Sequence, residues 1–139
     1  MRPPAVVDTN VVVSGLLTRD EEAPTAVVLS GMLRGRFRFL LSVDLLAEYR
    51  SVLLRPAIRE RHGLSVGDVD DLLAEIAALA EVRHVDAVSE RERRADRHVH
   101  LLLLSSPGAV LVTGDEALRT SRPTGVEALT PRVFVARLR

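Results

Sequence analysis

Short apolar runs that alternate with helical patterns constrain the fold of this chain more than any other feature. Residues 5–8, 37–41 and 109–112 are apolar enough to form buried strands. A short strand is predicted over residues 83–85, and an edge strand over residues 126–129. Because helical patterns separate these runs, the sequence predicts a parallel sheet with helices on both of its faces.

Capping residues and prolines mark where the predicted helices begin and end. Ser42 is a suitable N-cap for a helix over residues 43–54, and Pro56 ends that helix because the residue before a proline avoids the α region. Ser65 and Asp68 resemble a capping box at the start of a second helix. No repeat or linker interrupts the 139 residues, so residues 1–139 are expected to form a single domain.

Two residue types are missing from the chain, and their absence excludes several classes of site. Without cysteine there is no disulfide, thiolate zinc site or cysteine nucleophile. All 19 basic residues are arginine, which excludes a P-loop lysine, a Schiff-base lysine and the late lysine of a two-component receiver domain. The formal net charge is zero, whereas a nucleic-acid partner normally leaves a basic excess. A cluster of buried acids can nevertheless mask a basic rim in the total.

The chain lacks the patterns of secreted and membrane proteins. The first residues, with Arg2, Pro3 and Pro4, provide no apolar segment of the kind that a signal peptide needs. The longest apolar stretch, residues 99–112, is short and is broken by polar residues, proline and glycine, so it cannot span a bilayer. We therefore expect a soluble, cytoplasmic protein with no membrane partner.

Two acids close predicted strands. Asp8 ends the run at residues 5–8, and Asp115 follows the strand at residues 109–112 after Thr113 and Gly114. In an open α/β sheet, ligands bind at the carboxyl ends of the strands, so acids at these positions indicate a ligand site. Each acid is also well placed to cap the helix that follows it, and on its own each position is about as compatible with a cap as with a functional role.

Two further acids lie on predicted helices. Glu48 and Asp96 are each, taken alone, more typical of a solvated helix face than of a site. His98 and His100 follow Asp96, but a separation of two residues suits helical ligands poorly, so we interpret both as partly buried or surface histidines. Together the four acids form a stronger pattern, because carboxylate ligands favour the hard cations Mg²⁺ and Mn²⁺ over zinc.

The motifs around these acids resemble those of the PIN domain, a nuclease family that includes the VapC-type toxins of bacterial and archaeal toxin–antitoxin pairs. The resemblance runs nearly from end to end and keeps the order of all four acids. The matching residues are Asp8-Thr9-Asn10, then Ser42, Leu45, Leu46, Glu48, Tyr49 and Leu54-Arg55-Pro56, and finally Val112-Thr113-Gly114-Asp115.

The resemblance implies a three-layer α/β/α sandwich with a central parallel sheet. It also implies an endoribonuclease that cleaves single-stranded RNA with one or two Mg²⁺ or Mn²⁺ ions, pairs as a homodimer and is silenced by a cognate antitoxin. The acids implied to hold metal and carry catalysis are Asp8, Glu48, Asp96 and Asp115. The residues implied to orient carboxylates or waters beside them are Thr9, Asn10 and Thr113.

The segment around Asp96 departs from the family pattern, because the further acid that relatives usually carry there is missing. The departure supports an alternative function, a catalytically weak or inactive PIN-like module that binds RNA or a protein partner. For an active enzyme, arginine forks match phosphate oxygens. The candidate phosphate contacts are Arg50, Arg55, Arg94 and Arg97.

Overall fold

Five short parallel strands organise the described part of the chain. The computed structural model describes residues 2–86, 89–94 and 96–139, and for Arg93 and Arg94 it describes the backbone alone. The strands are β1 (Ala5–Val7), β2 (Leu40–Leu41), β3 (Glu81–Val82), β4 (Val110–Val112) and β5 (Glu127–Leu129). The described pairings are all parallel and form two ladders, β1-β4-β5 and β2-β3; an isolated parallel bridge between Ala5 and Phe39, the residue before β2, places β2 beside β1. The resulting strand order is β3-β2-β1-β4-β5.

Helices separate the strands along the chain. In the described residues they are α1 (Thr9–Leu17), α2 (Pro24–Leu33), α3 (Val43–Leu53), α4 (Pro56–His62), α5 (Val66–Leu79), α6 (Glu90–Arg94), α7 (Arg97–Leu104), α8 (Glu116–Ser121) and α9 (Pro131–Leu138). No helix in this part of the chain is long and apolar enough to cross a bilayer.

The central strands are covered on both faces. Every residue of β1 and of β4 is buried, although side chains alternate between the two faces of a strand. Strands buried on both faces are typical of parallel sheets covered by helices on each side. The predicted three-layer α/β/α sandwich with a central parallel sheet is therefore confirmed.

Local capping explains the helix starts that the sequence predicted. The Ser42 hydroxyl accepts a hydrogen bond from the Leu45 N–H at 3.1 Å, which supplies one of the unpaired donors of α3. Ser65 and Asp68 form the predicted capping box of α5. Pro56 follows the end of α3, as predicted, but it also begins α4, a helix that the sequence analysis did not identify.

The predicted strand at residues 83–85 is wrong. The strand is β3, at Glu81–Val82, where Glu81 pairs with Leu40 of β2. The Arg38 guanidinium holds Glu81 in a fork with distances of 2.6 and 2.8 Å. A two-residue strand has no periodicity of its own, so its position is decided by its partner, about forty residues earlier in the chain.

The register of β1 and β4 brings two loops together at one edge of the sheet. Val7 is level with Val112, so Asp8 and Thr113 both leave the sheet at its carboxyl edge. The Asp8 N–H donates to the Val112 carbonyl at 2.9 Å and extends the ladder by one bond. The buried Tyr49 hydroxyl donates to the Val7 carbonyl at 2.5 Å, which anchors α3 beside the end of β1.

Candidate metal centre

The predicted acids lie together in one cleft at the carboxyl edge of the sheet. Asp8, Glu48, Asp96 and Asp115 all line an open cavity of about 520 Å³. Four separate segments supply them: the end of β1, the middle of α3, the start of α7 and the loop that joins β4 to α8. The structure therefore brings together residues up to 107 positions apart in sequence, from Asp8 to Asp115.

Three of the acids occupy N-cap positions, yet their side chains behave differently. Asp8 precedes α1 and Asp96 precedes α7, and neither side chain makes a capping hydrogen bond. Asp115 precedes α8, and its Oδ1 accepts from the Ala117 and Leu118 N–H groups at 2.9 and 3.3 Å. The capping interpretation thus holds for one oxygen of Asp115 and not for Asp8. The positive ends of the helix dipoles partly offset the negative charge of the cleft.

A threonine hydroxyl links the two acids at the strand ends. Thr113 Oγ1 donates to Asp8 Oδ2 at 2.7 Å, and the same oxygen accepts from the Asp115 N–H at 3.0 Å. Both Thr113 and Asp8 are buried, the latter with 5% of its surface exposed. These two bonds orient the Asp8 carboxylate and hold the backbone of Asp115 beside it.

Glu48 is held by contacts to both carboxylate oxygens. Thr9 Oγ1 donates to Oε1 at 2.5 Å, and His98 Nε2 lies 2.6 Å from Oε2. Burial of the Glu48 side chain is incomplete, with 22% of it exposed, so the carboxylate can face the cleft. This is not the solvated glutamate that a single helix position suggests.

His98 was missed by the sequence analysis. Its interpretation as a partly buried or surface histidine is wrong, because the residue is fully buried beside Glu48. The helical period of α7 could have indicated that His98 is buried, because it puts this residue on the same face as the buried Leu102, four positions later. Ligand spacing relative to His100 was the wrong criterion, since His98 meets a residue of another helix.

Asp96 has an unusual backbone conformation. Its φ of 60° and ψ of 21° lie in the left-handed region, and no other non-glycine residue with a described backbone has a positive φ. Aspartate tolerates this region better than most residues, but the conformation still costs free energy. Burial and then the charge of Glu48 raise the pKa of Asp96. A strained, partly desolvated acid that makes no cap bond is typical of a functional position.

The electrostatics of the cleft disfavour a full set of ionised acids. Burial raises the pKa of Asp8 from 3.8 to about 6, the charges of Glu48 and Asp96 add to the rise, and the hydrogen bond from Thr113 opposes it. Like charges held this close repel, and each is ionised more easily when a cation lies between them.

The residues present fit a divalent cation. Ligand atoms of Glu48, Asp96 and His98 lie within 4.8 Å of one another, and Asp8 and Asp115 line the same cleft. A donor set dominated by carboxylate oxygens suits Mg²⁺ and Mn²⁺. The raised pKa of Asp8, caused first by burial and then by the charges of Glu48 and Asp96, shows that its ionised form lacks compensation, which a cation in the cleft would supply.

Only some of the other residues predicted for the site line the cleft. Asn10 and Arg55 line the cleft. Arg50 does not, because its guanidinium forks onto Asp70 of α5 at 2.8 and 3.3 Å, on another side of α3. Arg97 is exposed at the start of α7 and is not among the described residues that line the cleft. The side chain of Arg94 lies outside the described part of the chain.

Comparisons with known proteins agree with this architecture. A family model described as PIN domain matches residues 4–117. Among solved structures, the chain is similar to the RRP44 PIN domain of T. brucei, with a TM-score of 0.53 and 17% sequence identity over 99% of this chain and 81% of that one. At this identity the likeness concerns the fold. No curated protein matches the chain.

Proposed function

This chain belongs to the PIN domain family, whose members are generally metal-dependent nucleases, and from that premise we propose that it is an endoribonuclease of single-stranded RNA. One observation carries the proposal: five carboxylates from separate segments, the four predicted acids and Glu90 of α6, line one cleft, and they include a buried aspartate whose pKa is raised to about 6. Desolvation of acids that repel each other is costly, and a site that binds a cation offsets this cost.

In this proposal, Asp8, Glu48, Asp96 and Asp115 hold one or two Mg²⁺ or Mn²⁺ ions. The hydroxyls of Thr9 and Thr113 orient Glu48 and Asp8, as their hydrogen bonds of 2.5 and 2.7 Å indicate. Asn10 faces the same cleft, where its amide can hold a water or a substrate oxygen. A bound cation supplies a more acidic water and stabilises the charge that develops on the phosphate.

The depth of the acids supports a single-stranded substrate. Asp8 is almost fully buried, so a phosphodiester must enter the cleft to approach it. A flexible single strand can bend into such a recess, whereas a regular duplex keeps its phosphates on a rigid surface. Arg55 lines the same cleft and is the described arginine best placed to bind a phosphate oxygen.

A cleavage assay tests the proposed activity. We expect the protein to cut a labelled single-stranded RNA in Mn²⁺ or Mg²⁺, to cut the same sequence in a duplex much more slowly, and to lose activity in EDTA. Activity should return when Mn²⁺ is added in excess of the chelator, because chelation removes the ion reversibly. Binding of the RNA without cleavage under metal-replete conditions would support the inactive PIN-like module instead.

We further propose that the protein is the toxin of a toxin–antitoxin pair, acting in the cytoplasm as a homodimer and silenced by a cognate antitoxin. The support is the likeness of its three motifs to those of the PIN domain, a family that includes the VapC-type toxins. A nuclease with this role has to be restrained by a partner in the cell that makes it.

Growth of a bacterial host tests the toxin proposal. We expect induced expression of the chain to arrest growth, and the Asp8→Asn variant to permit it, because both proteins present the same surface and differ in the acid cluster. Co-expression of the protein encoded beside it should restore growth, and light scattering should report a dimer. Equal growth with wild type and with Asp8→Asn, at matched protein levels, would contradict the toxin role. The nuclease proposal would then be decided by the cleavage assay alone.

A further inference from the structure

A buried histidine makes the contact in the candidate metal centre that the family resemblance does not account for. We propose that His98 is a positioning residue, which donates its Nε2–H to Glu48 and fixes that carboxylate for metal binding. The inference rests on the proposed function, since it concerns an acid of the same cleft. Its starting point is the 2.6 Å distance between His98 Nε2 and Glu48 Oε2.

The surroundings of the imidazole decide which nitrogen carries the proton. His98 is fully buried, and among the described residues its Nδ1 has no hydrogen-bond partner. A proton on Nδ1 alone would bury an unpaired N–H and would turn the lone pair of Nε2 toward a carboxylate oxygen. A proton on Nε2 removes both penalties, because an unpaired buried acceptor is tolerated better than an unpaired N–H.

The short contact also separates two possible roles of His98. A nitrogen that donates a hydrogen bond to Glu48 has no lone pair left for a cation. Ligand atoms of Glu48, Asp96 and His98 are close enough to share an ion, so geometry alone permits direct ligation. The 2.6 Å distance favours a direct hydrogen bond from Nε2 to the carboxylate, since hydrogen bonds to ionised acceptors are shorter than neutral ones.

The contact restricts a flexible ligand from two directions. Glu48 is on α3, where a glutamate side chain ordinarily samples several rotamers. Thr9 at the start of α1 holds Oε1, and His98 in the first turn of α7 holds Oε2. The carboxylate is therefore oriented before an ion arrives, and outer hydrogen-bond partners of this kind raise metal affinity.

Paired substitutions at His98 test the proposal through metal affinity. Isothermal titration with Mn²⁺ should show affinity weaker by roughly 10- to 100-fold in His98→Leu, because the donor is lost. His98→Gln should remain within a few-fold of wild type, since its amide nitrogen reaches the position of Nε2. His84→Leu makes the same change at an exposed histidine that is not among the described residues lining the cleft, and it should bind Mn²⁺ as wild type does. A general packing defect would not distinguish Gln from Leu in this way.

A second variant covers the case in which His98→Leu does not fold. His98→Asn keeps a polar side chain, but its amide ends at the position of Nδ1, short of Glu48, so it should show the same weakened affinity. In the metal-free wild type, nitrogen NMR of the imidazole should show a proton on Nε2. A proton on Nδ1 alone would overturn the inference without any metal measurement.

The outcomes separate this inference from the proposed function. If wild type binds no Mn²⁺, the metal-dependent nuclease proposal fails and the positioning role fails with it. If wild type binds Mn²⁺ and folded His98→Leu or His98→Asn binds it equally well, the positioning role alone is wrong. Pulsed EPR of the Mn²⁺ complex that detects a directly coordinated imidazole nitrogen would also overturn it, and would make His98 a ligand.

Discussion

Asp8→Asn should reduce RNA cleavage by at least about a hundredfold, because even the outer partners of metal ligands cost 10- to 100-fold when they are removed. Asp8 lies at the end of β1, and its carboxylate is oriented by Thr113 inside the acid-lined cleft. The amide is nearly the same shape but carries no charge, so it weakens the attraction for a divalent cation. Cleavage rates at saturating Mn²⁺, measured with single-stranded RNA, check this expectation.

Two variants show whether the loss is specific to the acid cluster. Asp71→Asn makes the same chemical change at an exposed position of α5, away from the cleft, and should leave the cleavage rate unchanged. Asp115→Asn should lose activity as Asp8→Asn does, while α8 stays intact because asparagine is also a good N-cap. Substantial turnover by Asp8→Asn in excess Mn²⁺ would refute the role assigned to Asp8.

The metal-free protein should become less stable, relative to Asp8→Asn, as the pH rises from about 4 to above 6. Folding raises the pKa of Asp8 from 3.8 to about 6, so its contribution to stability is fully present below pH 3.8 and is lost as the pH passes through about 6. A pKa difference of this size corresponds to a loss on the order of 3 kcal/mol in the free energy of unfolding.

Urea denaturation in EDTA, at acid and at neutral pH, measures this effect as the difference in the free energy of unfolding between wild type and Asp8→Asn. The two should be similarly stable near pH 4, and Asp8→Asn should be the more stable protein at neutral pH, because it buries no charge. Mn²⁺ should then stabilise wild type at neutral pH and have little effect on the variant, since a ligand stabilises the state that binds it. A constant difference between the two proteins at every pH would show that Asp8 is not desolvated.

Local sequence patterns were sufficient for most helix ends. Ser42 begins α3 and the Ser65–Asp68 box begins α5, because a cap needs a hydroxyl or carboxylate and N–H groups within three residues. Apolar runs likewise located β1 and β4, and with them the positions of Asp8 and Asp115 at the strand ends. The presence of a metal at these acids remains a prediction.

Contacts between distant segments could not be predicted in the same way. The strand at β3 depends on pairing with β2, and Arg50 is turned away from the cleft by Asp70 on another helix. The residues next to β3 in the sequence do not specify β2 as its partner, and those next to Arg50 do not specify Asp70. The sequence therefore predicted Arg50 and Arg55 equally as phosphate contacts. The structure distinguishes them, because Arg55 lines the cleft and Arg50 does not.

The amino-acid sequence by itself determined the alternation of strands and helices, the capped helix starts and the acids that end β1 and β4, because these depend on periodicity and on hydrogen bonds between near neighbours. Motif resemblance implied that Glu48 and Asp96 join those acids, but only the tertiary structure showed the contacts that place them there, and only it decided that His98 is buried against Glu48. The physical reason is that α3 and α7 meet through packing on the sheet, which no local pattern records.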